Sequence, residues 1–442
     1  MPESHLLLSY YGDDFTGSTD VIEALASNGV ATVLFTRAPT EREFRPFTEY
    51  RAIGLAGTSR SETPQWMDRH LTPAFVWLRQ LGARLCHYKV CSTFDSSPAA
   101  GSIGKAIDIG RAVFGQRLVP LIVGAPQLRR YTAFGHLFAA YQDEVYRIDR
   151  HPVMSRHPVT PMTESDLRLH LAKQTNTLVH LLPLSFLAPA EKGQGEGDFS
   201  EGILLIDVID AETQRAAGEA MLEIVQRHGP FIAGSSGVEY ALLAALRARG
   251  ELHVHTEFPA LKPVDRMIAV SGSVSPTTER QIRHALAHGF EGMALDPLLL
   301  ANDASAAEAA IAQGFSHLAA GRSVIAYTAL GPSSDRGKDI YGDGRPRLGG
   351  ALGRIARALI ERAGLTRAVI AGGDTSSHAL AELDIHALTC RYPLRATPGS
   401  PLCTAHSASA ALNGMDIAMK GGQIGHDDYF TMLRDGIGSI AR

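Results

Sequence analysis

Short apolar runs alternate with stretches of helical periodicity along almost the whole chain, the pattern of α/β units with a mainly parallel sheet. In the first part the runs predict strands at Leu6 to Tyr10, Ala31 to Thr36, Ala52 to Leu55, Leu85 to Val90, Leu118 to Val123, Ile203 to Val208 and Phe231 to Ala233. The first helix carries Val21, Ile22 and Leu25 on one stripe, with Ser18 or Thr19 as its predicted cap and Gly29 at its end. In the second part strands are predicted at Met267 to Val270, Ser323 to Thr328, Ala368 to Ala371 and near Ile417 to Met419, and helices around 277–287, 304–319, 350–363 and 376–382.

Two stretches break the pattern. Glu191 to Glu201 is glycine-rich and charged and reads as an exposed loop. Gly250 to Asp265 carries Pro259 and Pro263 without helical periodicity and predicts a boundary. The expected organisation is an α/β domain over 1–250, a linker over 251–265 and a second α/β domain over 266–442, with ligand sites at the carboxyl ends of strands and in the cleft between domains.

Composition narrows the chemistry. Lys plus Arg number 42 against 46 Asp plus Glu, a net charge of −4, so no basic field favours nucleic acid or an anionic membrane. The four cysteines, Cys86, Cys91, Cys390 and Cys403, form no C-x-x-C pair, and no run reaches the ~18 apolar residues of a membrane span. With an N-terminus that lacks the pattern of a signal peptide, a cytoplasmic location is expected.

The loops after the predicted strands carry the candidate chemistry. Y-G-D-D-F-T-G-S-T-D (Tyr11 to Asp20) places Asp13, Asp14, Thr16 and Gly17 where a strand turns into a helix. Carboxylates there accept from substrate hydroxyls and free backbone amides donate, although Asp14 or Thr16 could serve only as a cap. K-V-C-S-T-F-D-S-S-P adds Lys89, Ser92, Thr93, Asp95 and Ser96. A lysine in an apolar strand needs an anion or water, so Lys89 is either a carboxylate ligand or an edge-strand lysine reaching solvent. Arg60 is a second candidate for a carboxylate because its fork is bidentate.

In the second domain, S-G-S-V-S-P-T-T-E-R (Ser271 to Arg280) and V-I-A-G-G-D-T-S-S-H (Val369 to His378) each join a strand to a helix through small residues. Such turns let backbone amides approach phosphate oxygens at a positive helix end, and two of them in one domain suggest a nucleotide. The chain has no G-x-x-x-x-G-K-[ST], no G-x-G-x-x-G after the first strand, no H-E-x-x-H and no G-x-S-x-G, which counts against P-loop, dinucleotide, zinc-protease and serine-hydrolase chemistry. The histidine- and proline-rich stretch His151 to Pro161 lacks a neighbouring Cys or acidic ligand and reads as a structural or substrate-contacting loop, not a metal site.

Together Y-G-D-D-F-T-G-S-T-D, K-V-C-S-T-F-D-S, S-G-S-V-S-P, A-G-G-D-T-S and K-G-G-Q-I-G, in order over nearly the whole chain, resemble the four-carbon acid sugar kinases. The resemblance implies an N-terminal domain that binds a sugar acid, a C-terminal domain that binds ATP, and phosphorylation of a terminal hydroxyl with Mg²⁺. It implies Asp13, Asp14, Thr16 and Gly17 at the sugar acid, with Arg60, Lys89, Ser92 and Asp95 as neighbours and Asp13 and Asp14 as catalytic candidates. It places Ser273, Ser275, Gly372, Gly373, Asp374, Thr375, Ser376, Gly422 and Gly425 around ATP. The C-S-T-F-D-S loop looks more like the 3-oxo-tetronate branch than the I-D-S-T-L-R-G of threonate and erythronate kinases. Departures at S-P-A-A-G-S-I-G and R-H-P-V-M-S-R-H-P-V-T-P-M leave a branched acid such as 3-oxo-isoapionate open. The expected partners are the sugar acid, ATP and a second copy of the chain as a homodimer. A non-catalytic sugar-acid sensor of the same fold is the alternative, and an oxidoreductase the third reading.

Overall fold

The computed structural model describes residues 5–157, 159–187, 199–252, 257–337, 340, 344–394 and 397–438, excluding the side chains of 373–376. Most of the 191–201 loop and residues 253–256 of the expected linker therefore lie outside the described residues. The chain divides into two compact units, Met1–Thr32 with Arg45–Val254, and Val33–Phe44 with His255–Arg442. The segment Val33–Phe44 thus belongs with the second unit, whereas the sequence reading kept all of 1–250 in the first.

The first unit holds β1 (Leu8–Gly12), β3 (Ala52–Ala56), β4 (Leu85–Lys89), β5 (Leu118–Ile122), β9 (Val179–Leu182), β10 (Gly202–Ile206) and β11 (Phe231–Gly234). They form a parallel sheet in the order β3-β1-β4-β11-β5-β10-β9. All residues of β1, β3, β4, β5, β10 and β11 are buried, as expected of strands covered on both faces. From β1 the chain reaches β3 on one side and then β4 on the other, so β1 is a switch point where the following loops diverge to leave a crevice. A separate antiparallel sheet of β6 (Arg130–Ala133), β7 (His136–Tyr141) and β8 (Glu144–Arg147) was not foreseen. Its strands are short and half-exposed, too brief for an alternating pattern to stand out.

The second unit carries β2 (Thr32–Phe35), β12 (Ile268–Ser271), β13 (Phe290–Ala294), β14 (Ser323–Tyr327), β15 (Arg367–Ala371), β16 (Ile385–Tyr392), β17 (Leu402–Ser407) and β18 (Asp416–Lys420). β13-β14-β12-β15-β18 are parallel, and β17, β16 and β2 follow in antiparallel pairings. Its switch point is β12, between β14 and β15. Every strand predicted from the sequence is present within about two residues at its ends, while β9, β13, β16 and β17 had no predicted counterpart. Among the described residues no helix is long and apolar enough to cross a membrane.

The helix Pro64–Gln80 shows what fixes the first crevice. Thr63 caps it, Pro64 opens it, and Met67, Leu71, Phe75 and Leu78 form its buried stripe. The Phe75 ring meets Tyr11 of β1, Tyr88 of β4 and Phe231 of β11 at centroid distances of 6.0, 5.8 and 5.4 Å. Phe75→Ala is expected to cost about 3–5 kcal/mol through the cavity it leaves, read as a lowered Tm. A loss below about 1 kcal/mol would show that the three strands are held together by other contacts.

Candidate functional site

The loop after β1 is pinned at its backbone. Asp13 N donates to Lys89 O at 2.9 Å, and Arg60 N donates to Asp13 O at 3.1 Å, so the loops after β1, β3 and β4 meet at one residue. Asp14, with extended backbone, caps the helix Phe15–Ala26 by accepting from Gly17 N. The expected caps do something else. Ser18 Oγ donates to Asp14 O at 2.5 Å and Thr19 Oγ1 to Thr16 O at 2.8 Å, because the helix starts before them and their hydroxyls bond back along it.

Asp14's other oxygen is also engaged. Arg60 Nη1 donates to Asp14 Oδ2 at 2.6 Å, and its Nη2 reaches both oxygens of Asp95 at 2.9 and 3.0 Å. Asp95 accepts further from Thr93 Oγ1 at 2.5 Å and Thr160 Oγ1 at 2.9 Å, with His157 Nδ1 4.0 Å away. Burial alone would raise the Asp95 carboxyl, but Arg60 and these donors outweigh it and hold it at about 2. Thr160 and His157 come from the 151–161 loop, whose Pro158 lies outside the described residues, so that loop bears on the candidate site through Asp95.

Asp13 is different. It is 4% exposed, and its Oδ1 has no hydrogen-bond partner, nor has the buried Thr16 Oγ1. Burial first, and then the charge of Asp14, push its carboxyl up to about 7 against the pull of Arg60 and Lys89. The Lys89 ammonium, also buried, donates to Val90 O at 3.0 Å and lies 3.9 Å from Asp20 Oδ2, which accepts from Ser236 Oγ. Burial would depress Lys89, but Asp20 and then Asp13 hold it above its ordinary value. β4 lies between β1 and β11, so Lys89 is no edge-strand lysine reaching solvent. Gly17 makes room for it: a Cβ there would stand 3.2 Å from Lys89 Nζ and 2.9 Å from Asp14 Oδ1. Ser92 is half-buried in the same loop. Sequence reasoning named Thr93 in this loop but missed Asp20 and Thr160. Asp20, two turns along the helix from its cap, was the one with a visible signal, a carboxylate on a buried helical face.

In the second unit three turns meet at the carboxyl ends of neighbouring strands. Gly272 N donates to Ala371 O at 3.1 Å and Gly372 N to Lys420 O at 2.8 Å, joining the ends of β12, β15 and β18. Ser275 caps the helix Pro276–Ala287, and Ser273 Oγ donates to Thr278 Oγ1 at 3.0 Å, which donates to Gly422 O at 3.0 Å. A Cβ on Gly422 would lie 3.0 Å from Ser273 Oγ and 3.3 Å from Ser275 Cβ, so the turn is a close-fitting cradle of small residues. Gly425 lines a surface cavity of about 520 Å³ with Arg280, His284 and His426. Gly373, Asp374, Thr375 and Ser376 form the first turn of the helix Gly373–Glu382, and their side chains lie outside the described ones. Amides at two helix starts beside a cradle of small residues fit the phosphates of a nucleotide. Lys420, buried at the end of β18, went unnoticed in the sequence although the reasoning that singled out Lys89 applies to it equally.

Residues 8–242 match the family model of a sugar-binding N-terminal domain and residues 268–430 that of a nucleotide-binding C-terminal domain. The chain is 45% identical to the 3-oxo-isoapionate kinase of Paraburkholderia graminis, covering 98% of this chain and 94% of that one. It is 29% identical to the 3-oxo-tetronate kinase of Cupriavidus necator, with 96% and 95% covered. Crystal structures of proteins from Salmonella typhimurium and Haemophilus influenzae share its fold, with TM-scores of 0.73 and 0.67 at 23% and 22% identity; each covers 96% of this chain, and 98% and 99% of their own chains are matched.

The Asp13 environment has a measurable consequence. An acid raised from 3.8 to about 7 on folding stabilises the folded state while protonated; that contribution is full below about pH 4 and is lost as the pH rises through 7. Asp13→Asn is permanently neutral, so its Tm should match the parent near pH 4 and exceed it at pH 8. A Tm difference that does not vary with pH would mean that Asp13 ionises as an ordinary surface acid.

Proposed function

The chain belongs to the four-carbon acid sugar kinase family and is an ATP-dependent sugar-acid kinase, and from that premise we propose that its acceptor is a branched 3-oxo acid of the 3-oxo-isoapionate type, with Asp13 as the catalytic base. The substrate assignment rests on the 45% identity with the 3-oxo-isoapionate kinase, against 29% for a 3-oxo-tetronate kinase.

The base assignment rests on one observation, the buried and uncommitted Asp13 Oδ1. The sequence left Asp13 and Asp14 both as catalytic candidates, but capping and Arg60 engage both oxygens of Asp14. In the proposed reaction the acceptor hydroxyl oxygen forms a bond to the γ-phosphorus of ATP, the bond to the ADP oxygen breaks, and the hydroxyl proton passes to Asp13. A carboxyl near 7 is matched to that task at neutral pH. Lys89 supplies the positive charge for the substrate carboxylate, and the Arg60 fork holds Asp14 and Asp95 in place rather than gripping the substrate itself. The turns carrying Ser273, Ser275, Gly372 and Gly422 hold the nucleotide. Mg²⁺ would arrive with the nucleotide and would supply charge neutralisation at its phosphates, beside the turns that carry Ser273, Ser275, Gly372 and Gly422.

A coupled assay of ADP release over 3-oxo-isoapionate, 3-oxo-tetronates and tetronates should give the highest kcat/KM with 3-oxo-isoapionate. Asp13→Asn should lower kcat by about 10²–10⁴-fold and abolish the rise of kcat/KM through pH 7. Asp14→Asn should act mainly on KM and Tm. Silence from every acid at millimolar concentration would refute the substrate class, and a near-parental kcat for Asp13→Asn would move the base elsewhere.

A further inference from the structure

Lys420 ends β18 with its side chain wholly buried. Its Nζ donates to Gly421 O at 2.8 Å and to Thr278 Oγ1 at 3.1 Å, and the Tyr429 ring stands with its centroid 6.0 Å away. These groups, from its own turn, the helix Pro276–Ala287 and the helix Tyr429–Asp435, are all neutral. Among the described residues no carboxylate lies within ion-pair distance of it, in contrast with Lys89 and its Asp20. An ammonium with three protons and only neutral acceptors is poorly compensated in a buried place.

Its location gives that imbalance a meaning. Thr278 sits in the first turn of the helix Pro276–Ala287, where the aligned peptide dipoles present positive partial charge. Through Thr278 the ammonium joins the network of Ser273 and Gly422, the cradle described above. A buried cation and a positive helix end therefore converge on one small-residue turn, with no described anion between them.

Building on the nucleotide reading of this unit, we propose that Lys420 is the phosphate-recognising residue of the nucleotide site, its ammonium pairing with the phosphate chain of ADP or ATP. Burial holds Lys420 down at about 7, so slightly above neutral pH most molecules carry it uncharged. An arriving phosphate draws a proton onto it, and nucleotide binding is accompanied by proton uptake. A lysine that merely tied Gly421 to Thr278 would weaken the turn if lost but would take up no proton.

Titration calorimetry of the full chain with ADP at pH 8, repeated in buffers of different ionisation enthalpy, measures that uptake directly. The parent should bind ADP with uptake of a large fraction of one proton. Lys420→Met should bind at least tenfold more weakly with no uptake, and Lys420→Arg should recover most of the affinity without the uptake, since a guanidinium is already charged. Zero uptake by the parent overturns the proposal without recourse to any variant. So does a Lys420→Met protein that binds ADP within twofold of the parent, or one that retains the uptake. If the parent binds no ADP at all, the nucleotide reading itself fails, and the proposal with it.

Discussion

Three carboxyl groups share one buried loop cluster with a single guanidinium, and that imbalance governs the first unit's chemistry. Arg60 donates to Asp14 and to both oxygens of Asp95, and those two are further secured by Gly17, Thr93 and Thr160. Asp13 is left buried beside the charge of Asp14, where a third negative charge is disfavoured and a proton is retained near neutral pH. Much of the local design follows from keeping that arrangement rigid. The Asp13 backbone is tied to Lys89 and Arg60, and aromatic rings of three strands close around Phe75 below it.

Lys89 and Lys420 show how one sequence pattern yields two chemistries. Each is the last residue of an interior strand and is buried. Lys89 has carboxylates nearby and is held above its ordinary value, whereas among the described residues Lys420 has only neutral acceptors. The difference lies in what neighbouring strands and helices bring into reach, Asp20 in one unit and Thr278 in the other. Linear spacing cannot supply it.

The same distinction separates what was legible in the chain from what was not. Strands buried on both faces announce themselves as apolar runs, so β1, β4, β12 and β15 and the loops after them could be read directly, as could the adjacent Asp13 and Asp14. Half-exposed strands such as β6 to β8 gave no such signal. Which of two adjacent carboxylates keeps its proton depends on Arg60, 46 positions from Asp14, and the fixing of Asp95 depends on Thr160, 65 positions away. The helix cap stayed open in the sequence for a related reason: Ser18 and Thr19 suit a cap as well as Asp14 does, and only the position of the strand end decides among them.

The membership of Val33–Phe44 has a consequence for how this protein can be divided. Val33, Leu34 and Phe35 pair with Thr389, Leu388 and Ala387 of β16, and Thr36 N adds a bond to His386 O. The second unit is therefore not one contiguous stretch of gene. A fragment beginning after Val254 would omit β2 and leave β16 with a bare row of amides and carbonyls, a surface prone to pairing with another chain. The polypeptide passes between the units three times, after residues 32, 44 and 254, so no single cut in the gene separates one unit whole from the other.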